Sequence, residues 1–281
     1  MERRVITQNM VNSFKEYLYN EERSDNTIEK YIRDISAFVS WLGERELCKP
    51  ALIEYKKYLC DEYAPKSVNS MLSALNALFV FLSWHDLRVK ALKIQRQVFA
   101  DKKRELTKCE YERLVSAAGK RKDKRLYYLI QTICSTGIRI SELCYITVDA
   151  IKLGYAKISC KGKIRKVFLP RQLCKMLTAY TKKKDIKSGS VFITRNGNAV
   201  NRSNIWHELK RLCRASGVEK GKVFPHNLRH LFAKTYYSVQ KDIVRLADIL
   251  GHSNINTTRI YTMENGDTHQ RQIQKLGLLV C

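Results

Sequence analysis

The chain has 281 residues and carries 52 Lys+Arg against 27 Asp+Glu, a formal net charge of +25. A hydrophobic share of 44% with 15 Tyr and 9 Phe suffices for a sizeable core, which excludes a disordered basic tail. The longest nearly unbroken apolar run, Ala74 to Trp84, is about half of what spans a bilayer, which excludes an integral membrane protein. So large a positive excess points to a polyanionic partner, most often nucleic acid.

In chain order, a short helix is expected over Val11 to Tyr19. Asn26 with Glu29 reads as a capping box opening a second helix, in which Ile28, Ile32, Ile35, Phe38, Val39 and Leu42 recur at helical spacing. Another helix is expected over Ala51 to Glu62. Pro65 suits the first turn of a stronger one, carried by Met71, Leu75, Leu78, Phe79 and Leu82 to near Trp84. Residues 1–94 thus form a helical bundle, and the polar, basic stretch 95–104 is read as an interdomain linker.

In residues 105–281, Thr107 and Glu110 form a capping box for a helix to Ala118. Leu126 to Thr136 is an apolar helix that Gly137 lets turn into Ile138 to Tyr145. Alternation in Tyr155 to Ser159 and in Lys166 to Leu169 predicts a β-hairpin with Gly162 at its turn. Helices resume over 172–183, 202–216, 227–239 and 243–250. The fold class expected is mainly α with one small antiparallel sheet. Residues 1–98 hold 15 Lys+Arg and 13 Asp+Glu, a net +2, leaving 37 and 14, a net +23, for the rest.

Nine cysteines (48, 60, 109, 134, 144, 160, 174, 213 and 281) form an odd set without a CxxC pair. They fit neither a disulfide framework nor a zinc ribbon and read as reduced, mostly buried thiols. The N-terminus has no apolar segment of the signal-peptide kind, so a reducing cytoplasm is the expected compartment.

The sequence contains no GxxxxGK[ST] loop, no HExxH and no tight group of Asp and Glu able to hold two metal ions. Any cleavage of a phosphodiester is therefore expected to rely on fixed cations. A guanidinium can grip two non-bridging oxygens of the pentacoordinate transition state, and a covalent route adds a nucleophile and an acid for the leaving oxygen. Four segments offer such parts: Thr136 to Leu143 with Arg139 and Glu142; Cys160-Lys161-Gly162; Pro225 to His230 with His226 and Arg229; and Leu250 to Tyr261 with His252.

The order Arg, Lys, His-x-x-Arg, Gly-His and then Tyr nine residues later, with LGHxxxxTTxxY intact, resembles the tyrosine recombinase (phage integrase) family, and more particularly its Xer-like members. Residues 26–42 also resemble the helical, SAM-like core-binding domain of that family. The resemblance implies a core-binding domain (1–94), a linker (95–104) and a catalytic domain with a C-terminal tail (105–281), closing as a clamp on double-stranded DNA.

It further implies that Tyr261 is the nucleophile forming a 3′-phosphotyrosyl link, and that Arg139 and Arg229 clamp the phosphate. Glu142 would orient Arg139. Lys161 would protonate the 5′-oxygen, with Lys163 its rival, and His226 and His252 would contact the phosphate. His230 is read as bracing its helix. The i,i+4 pair His226 and His230 has a zinc-like spacing, but Arg229 beside it opposes a cation, so no metal and no cofactor is expected.

In the near-neutral half, Arg3, Arg4, Lys30, Arg33 and Lys66 are the candidate DNA-binding residues. In relatives, an apolar tail such as Leu276 to Cys281 docks on the next subunit of a tetramer; packing in cis is the alternative. Two other readings compete: DNA relaxation like that of type IB topoisomerases, and an inactive DNA-binding or architectural member. No separate domain is read before the core-binding bundle, and the protein is expected in the cytoplasm, with the nucleoid.

Overall fold

The structure, a computed structural model, describes residues 4–94, 104–160, 163–194, 196–261 and 274–275, with Cys160 and Lys163 described in backbone only. The chain divides into two compact units, Met1–Arg96 and Gln97–Cys281. Residues 95–103 of the expected linker lie outside the described residues.

The first unit is built from α1 (Gln8–Asn20), α2 (Asp25–Leu42), α3 (Lys49–Glu62) and α4 (Pro65–Phe81). Thr7 caps α1 by accepting the N–H of Met10 at 3.3 Å, and Val11, Phe14 and Leu18 form its buried stripe. The Asn26 and Glu29 capping box is corrected: α2 starts at Asp25 behind Ser24, whose Oγ lies 2.8 Å from Thr27 Oγ1, so Asn26 is already inside the first turn. Pro65 occupies the first turn of α4, where its missing N–H costs no helical bond. This helix stops at Phe81 rather than Trp84, because Ser83 takes φ +58° and the chain reverses out of the helix.

Phe14, Phe38, Leu52, Leu59, Leu75 and Phe79 meet in a shared core and are fully buried. Asn69 and Asn76, two turns apart on α4, hold the exit of this unit. The Asn76 side-chain amide exchanges two hydrogen bonds with the backbone of Val89 (2.8 and 2.9 Å), and Asn69 does the same with Leu92 (2.9 and 2.7 Å).

The second unit opens with α5 (Lys108–Gly119), whose capping box between Thr107 and Glu110 is fully formed. It is followed by α6 (Arg125–Thr136), a 3-10 turn over Ile140–Tyr145, and α7 (Val148–Leu153). The short helix α7 has no counterpart in the expected pattern, being only six residues long. Strands β1 (Tyr155–Cys160) and β2 (Lys163–Phe168) pair antiparallel, with Tyr155 opposite Phe168 and Ile158 opposite Arg165. Gly162, at the expected turn, lies outside the described residues.

The remaining elements are α8 (Arg171–Lys183), α9 (Arg202–Ser216), α10 (Pro225–Gln240), α11 (Ile243–Leu250) and a four-residue α12 (Asn256–Arg259). A core of Leu114, Ile130, Ile133, Ile146, Leu177 and Leu209 packs α5, α6, α8 and α9 together. A separate small cluster of Ala233, Leu246, Leu250 and Tyr261 joins α10, α11 and the segment after α12. The fold is thus mainly helical with one two-stranded sheet.

The expectation of mostly buried thiols is corrected. Among the described residues only Cys213 is buried, while Cys60, Cys109 and Cys144 are exposed, because these positions fall on polar helix faces and turns. Among the described residues no helix is long and apolar enough to cross a membrane.

Candidate active site

Arg139 follows the turn made by Gly137 and caps the 3-10 turn that contains Glu142. The Arg139 backbone N–H donates to Glu142 Oε2 at 2.7 Å and its Nη1 donates to Oε1 at 3.0 Å. A third donor reaches this carboxylate from β2: Arg165 Nη2, 2.6 Å from Oε2. Glu142 is buried, which by itself opposes ionisation. The Arg139 N–H and the two guanidiniums outweigh this and hold the carboxyl below its ordinary value. Arg139 itself stays 41% exposed and available to an incoming anion.

Arg229, in the first turns of α10, is the opposite case, with only 1% of its surface exposed. Its Nη1 donates to the Gly137 carbonyl at 2.6 Å and its Nη2 to the Leu250 carbonyl at 2.7 Å. Those two carbonyls end α6 and α11, so the buried cation is met by the negative ends of two helices rather than by a carboxylate. Gly137 has φ +66°, and a Cβ there would stand 2.4 Å from Phe232. Burial, and secondarily the repulsion of Arg139, lower the Arg229 pKa to about 10, against the opposing pull of Tyr261 and Glu142. It remains charged at neutral pH.

Gly251, at φ +65°, ends α11 and delivers His252 to this guanidinium. His252 Nε2 lies 3.0 Å from Arg229 Nη2, and Nδ1 lies 2.8 Å from Thr258 Oγ1. Because Arg229 only donates, Nε2 accepts, and the proton sits on Nδ1 facing Thr258. Burial and the cations Arg229, Arg139 and Arg165 push His252 down to about 4, in keeping with a neutral ring. Thr258 is fully buried and its carbonyl accepts the Tyr261 N–H at 2.9 Å, so the histidine and the tyrosine share one support.

Tyr261 is itself only 3% exposed. Its hydroxyl has no hydrogen-bond partner among the described residues. The ring of His230 stands edge-on to the Tyr261 ring at 4.4 Å, and that of His252 lies nearly parallel at 6.1 Å. Burial, then His226 and Lys234, push His230 down to about 4. His226, on the same helix and 5.8 Å from His230 by ring centres, keeps an exposed edge. Desolvation on its inner side, with Arg229 and Arg139, holds it below the ordinary histidine value. Among the described residues, neutral histidines leave the three guanidiniums Arg139, Arg165 and Arg229 opposed by the carboxylate Glu142. That surplus of positive charge suits a phosphate gaining a second negative charge as it becomes pentacoordinate.

Arg139, Glu142, His226, Arg229, His230, His252 and Tyr261 are therefore brought together. Lys161 lies outside the described residues, and so do Arg3 and Leu276 to Cys281; of Lys163 only the backbone is described. In the first unit, Arg4 forms two hydrogen bonds to Asp86 at 2.8 and 2.7 Å, Lys30 and Arg33 both face the buried Asp34, and exposed Lys66 sits in the first turn of α4. Among the described residues no group of three or more His, Cys, Asp or Glu is placed to hold a metal ion. Sequence reasoning passed over Arg165 and included Thr258 in the LGHxxxxTTxxY motif without giving it a role. The signal for Arg165 lay in the alternation of β2, which puts it on the same face as the buried Val167.

Comparison with known proteins identifies the class. Residues 104–267 match the phage integrase family and residues 11–86 match its N-terminal SAM-like domain. The tyrosine recombinase XerA of Thermococcus kodakarensis is 31% identical over 282 residues, covering 96% of each chain. The tyrosine recombinase XerD of Vibrio cholerae is 26% identical, covering 91% of each. Among solved structures, a lambda integrase tetramer bound to a Holliday junction superposes with a TM-score of 0.71 at 19% identity, covering 90% of this chain and 76% of that one. The chain belongs to the phage integrase family, the tyrosine recombinases, which cleave and rejoin DNA in site-specific recombination. DNA is the substrate this assigns.

Proposed function

We propose that Tyr261 attacks the scissile phosphate through its hydroxyl oxygen. A P–O bond forms to the tyrosine and the bond from phosphorus to the 5′-oxygen breaks, which leaves a 3′-phosphotyrosyl link and a free 5′-hydroxyl. Arg139 and Arg229 hold the non-bridging oxygens. His226, neutral at the site's open edge, contacts the phosphate and receives the phenolic proton, while Lys161 gives a proton to the departing 5′-oxygen. His252 turns toward a phosphate oxygen as DNA enters. In the second step a 5′-hydroxyl from the partner strand attacks the same phosphorus, Lys161 takes its proton, and the bond to Tyr261 breaks as the phenolic oxygen recovers its proton from His226. The ester energy is retained in the protein–DNA link, so no cofactor is required.

The observation that carries this reading is the Tyr261 hydroxyl, buried without a partner among the described residues, beside neutral histidines and the Arg229 guanidinium. Leaving a polar group so placed is costly unless the site is completed by something else. The test is a suicide DNA substrate whose cleaved strand cannot be rejoined. Wild type should accumulate a covalent adduct and Tyr261→Phe none; an adduct from the variant would remove Tyr261 as nucleophile. Lys161→Ala should cleave slowly on ordinary DNA and recover on DNA with a 5′-bridging sulfur, a better leaving group. Failure to recover would remove the acid role.

The near-neutral residues 1–94 add DNA contacts through Arg3, Arg4, Lys30, Arg33 and Lys66, joined by 95–104 to the catalytic residues 105–281, where Lys163 adds a contact beside Lys161. Four copies act together on paired sites in the cytoplasm, at the nucleoid, linked through Leu276 to Cys281. Deleting residues 272–281 should spare binding to a single site and impair strand exchange. Unchanged exchange would remove the tail from the assembly.

A further inference from the structure

The hairpin strand β2 breaks the usual rule for a half-buried sheet. Ile164 and Phe168 are 76% and 74% exposed, while Arg165, between them, turns inward on the face that carries the buried Val167. An inward arginine at a position that would ordinarily hold an aliphatic residue needs partners, and Arg165 has them on two separate segments. Its Nη2 donates to Glu142 Oε2 at 2.6 Å, and its Nη1 donates to the Ile249 carbonyl in the last turn of α11. Its aliphatic stem fills the space beside Gly251, where a Cβ would stand 2.6 Å from Arg165 Cδ. One guanidinium therefore ties the strand to the Arg139 and Glu142 pair and to the turn that delivers His252.

We propose that Arg165 is a positioning residue for strand cleavage. It sets the phosphate clamp and strand β2 in one register, so that Arg139 and the proton donor Lys161, which precedes β2 in sequence, address the same phosphate. Its guanidinium is engaged by Glu142 and the Ile249 carbonyl, so its assigned role is indirect. It acts through Glu142 on one side and through β2 on the other, and Arg165 and Lys161 are only four positions apart on the hairpin. The inference rests on the reading of Lys161 as the acid.

The experiment measures single-turnover cleavage by full-length Arg165→Gln and Arg165→Lys on ordinary DNA and on DNA with a 5′-bridging sulfur, alongside DNA affinity and thermal unfolding. Glu142→Gln and Lys161→Ala serve as controls. A misplacement of about 1 Å at a reacting group lowers rates on the order of a hundredfold. Arg165→Gln should lose about that much on ordinary DNA, bind DNA within about twofold of wild type, and regain about tenfold with sulfur, since only the hairpin half of its role is bypassed. Glu142→Gln, which leaves the hairpin strand in place, should regain little.

Arg165→Lys reaches Glu142 but cannot also fork to Ile249, so it should fall between wild type and Gln; it decides the matter if Arg165→Gln does not fold. Wild-type cleavage by both variants overturns the proposal. So does a loss that sulfur fails to reduce while it still rescues Lys161→Ala. If sulfur rescues neither Arg165→Gln nor Lys161→Ala, the acid reading itself fails, and the hairpin half of the proposal with it.

Discussion

His252 Nε2 accepts a hydrogen bond from Arg229 Nη2 at 3.0 Å, while the same ring gives its Nδ1 proton to Thr258. Both nitrogens of this histidine are thus occupied within the protein. Contact with a phosphate oxygen requires Nε2 to release Arg229 and to carry the ring proton itself, with Thr258 Oγ1 then donating to Nδ1.

Stability should fall with acid through the histidines. His230 and His252, both near 4 in the folded chain against an ordinary 6.5, bind fewer protons folded than unfolded. Their contribution is complete above about pH 6.5 and is lost as pH falls toward 4. The midpoint of thermal unfolding should drop across that window, and His252→Gln should make the drop shallower. An equally steep drop in the variant would show that the ring is not held neutral.

Tyr261→Phe should leave the fold as stable as wild type or more stable by up to about 1 kcal/mol, because it removes a buried hydroxyl that has no partner among the described residues. Unfolding of the two proteins in urea checks this. A variant less stable by more than about 1 kcal/mol would mean that the hydroxyl is bonded in solution.

Gly137→Ala should cost about 2–4 kcal/mol, combining a left-handed backbone with a methyl pressed on Phe232. The same change displaces the carbonyl that receives Arg229. Cleavage should therefore fall more than DNA binding, which a filter-binding assay beside the suicide substrate separates.

DNA affinity should depend steeply on salt, since residues 99–281 hold a net +23. Neutralising six or more phosphates predicts a loss of about a thousandfold between 50 and 200 mM salt. A shallow slope would argue that few of these cations lie against DNA.

Much of this protein was legible in the order of its residues. Helical periodicity, the Thr107 and Glu110 box and the proline at α4 are local features, and the element order follows from them. The short helices α7 and α12 escaped because four to six residues carry too little period to be told from turns. The Asn26 box failed for a related reason: Ser24 and Asn26 are both good caps, and only the packed helix chooses between them.

The sequence by itself determined which chemical groups are present and in what order, and with them the family and its DNA chemistry. Only the tertiary structure decided their state. Arg229 is buried because the carbonyl ends of α6 and α11, 92 and 21 residues away, converge on it, and helix ends carry the partial negative charge that a buried cation needs. His252 is neutral because packing buries its ring and sets that cation against it. Arg165 turns inward because Glu142 and Ile249, 23 and 84 residues away, come within its reach. Such partners are set by packing between distant segments, for which neither spacing nor composition carries a signal.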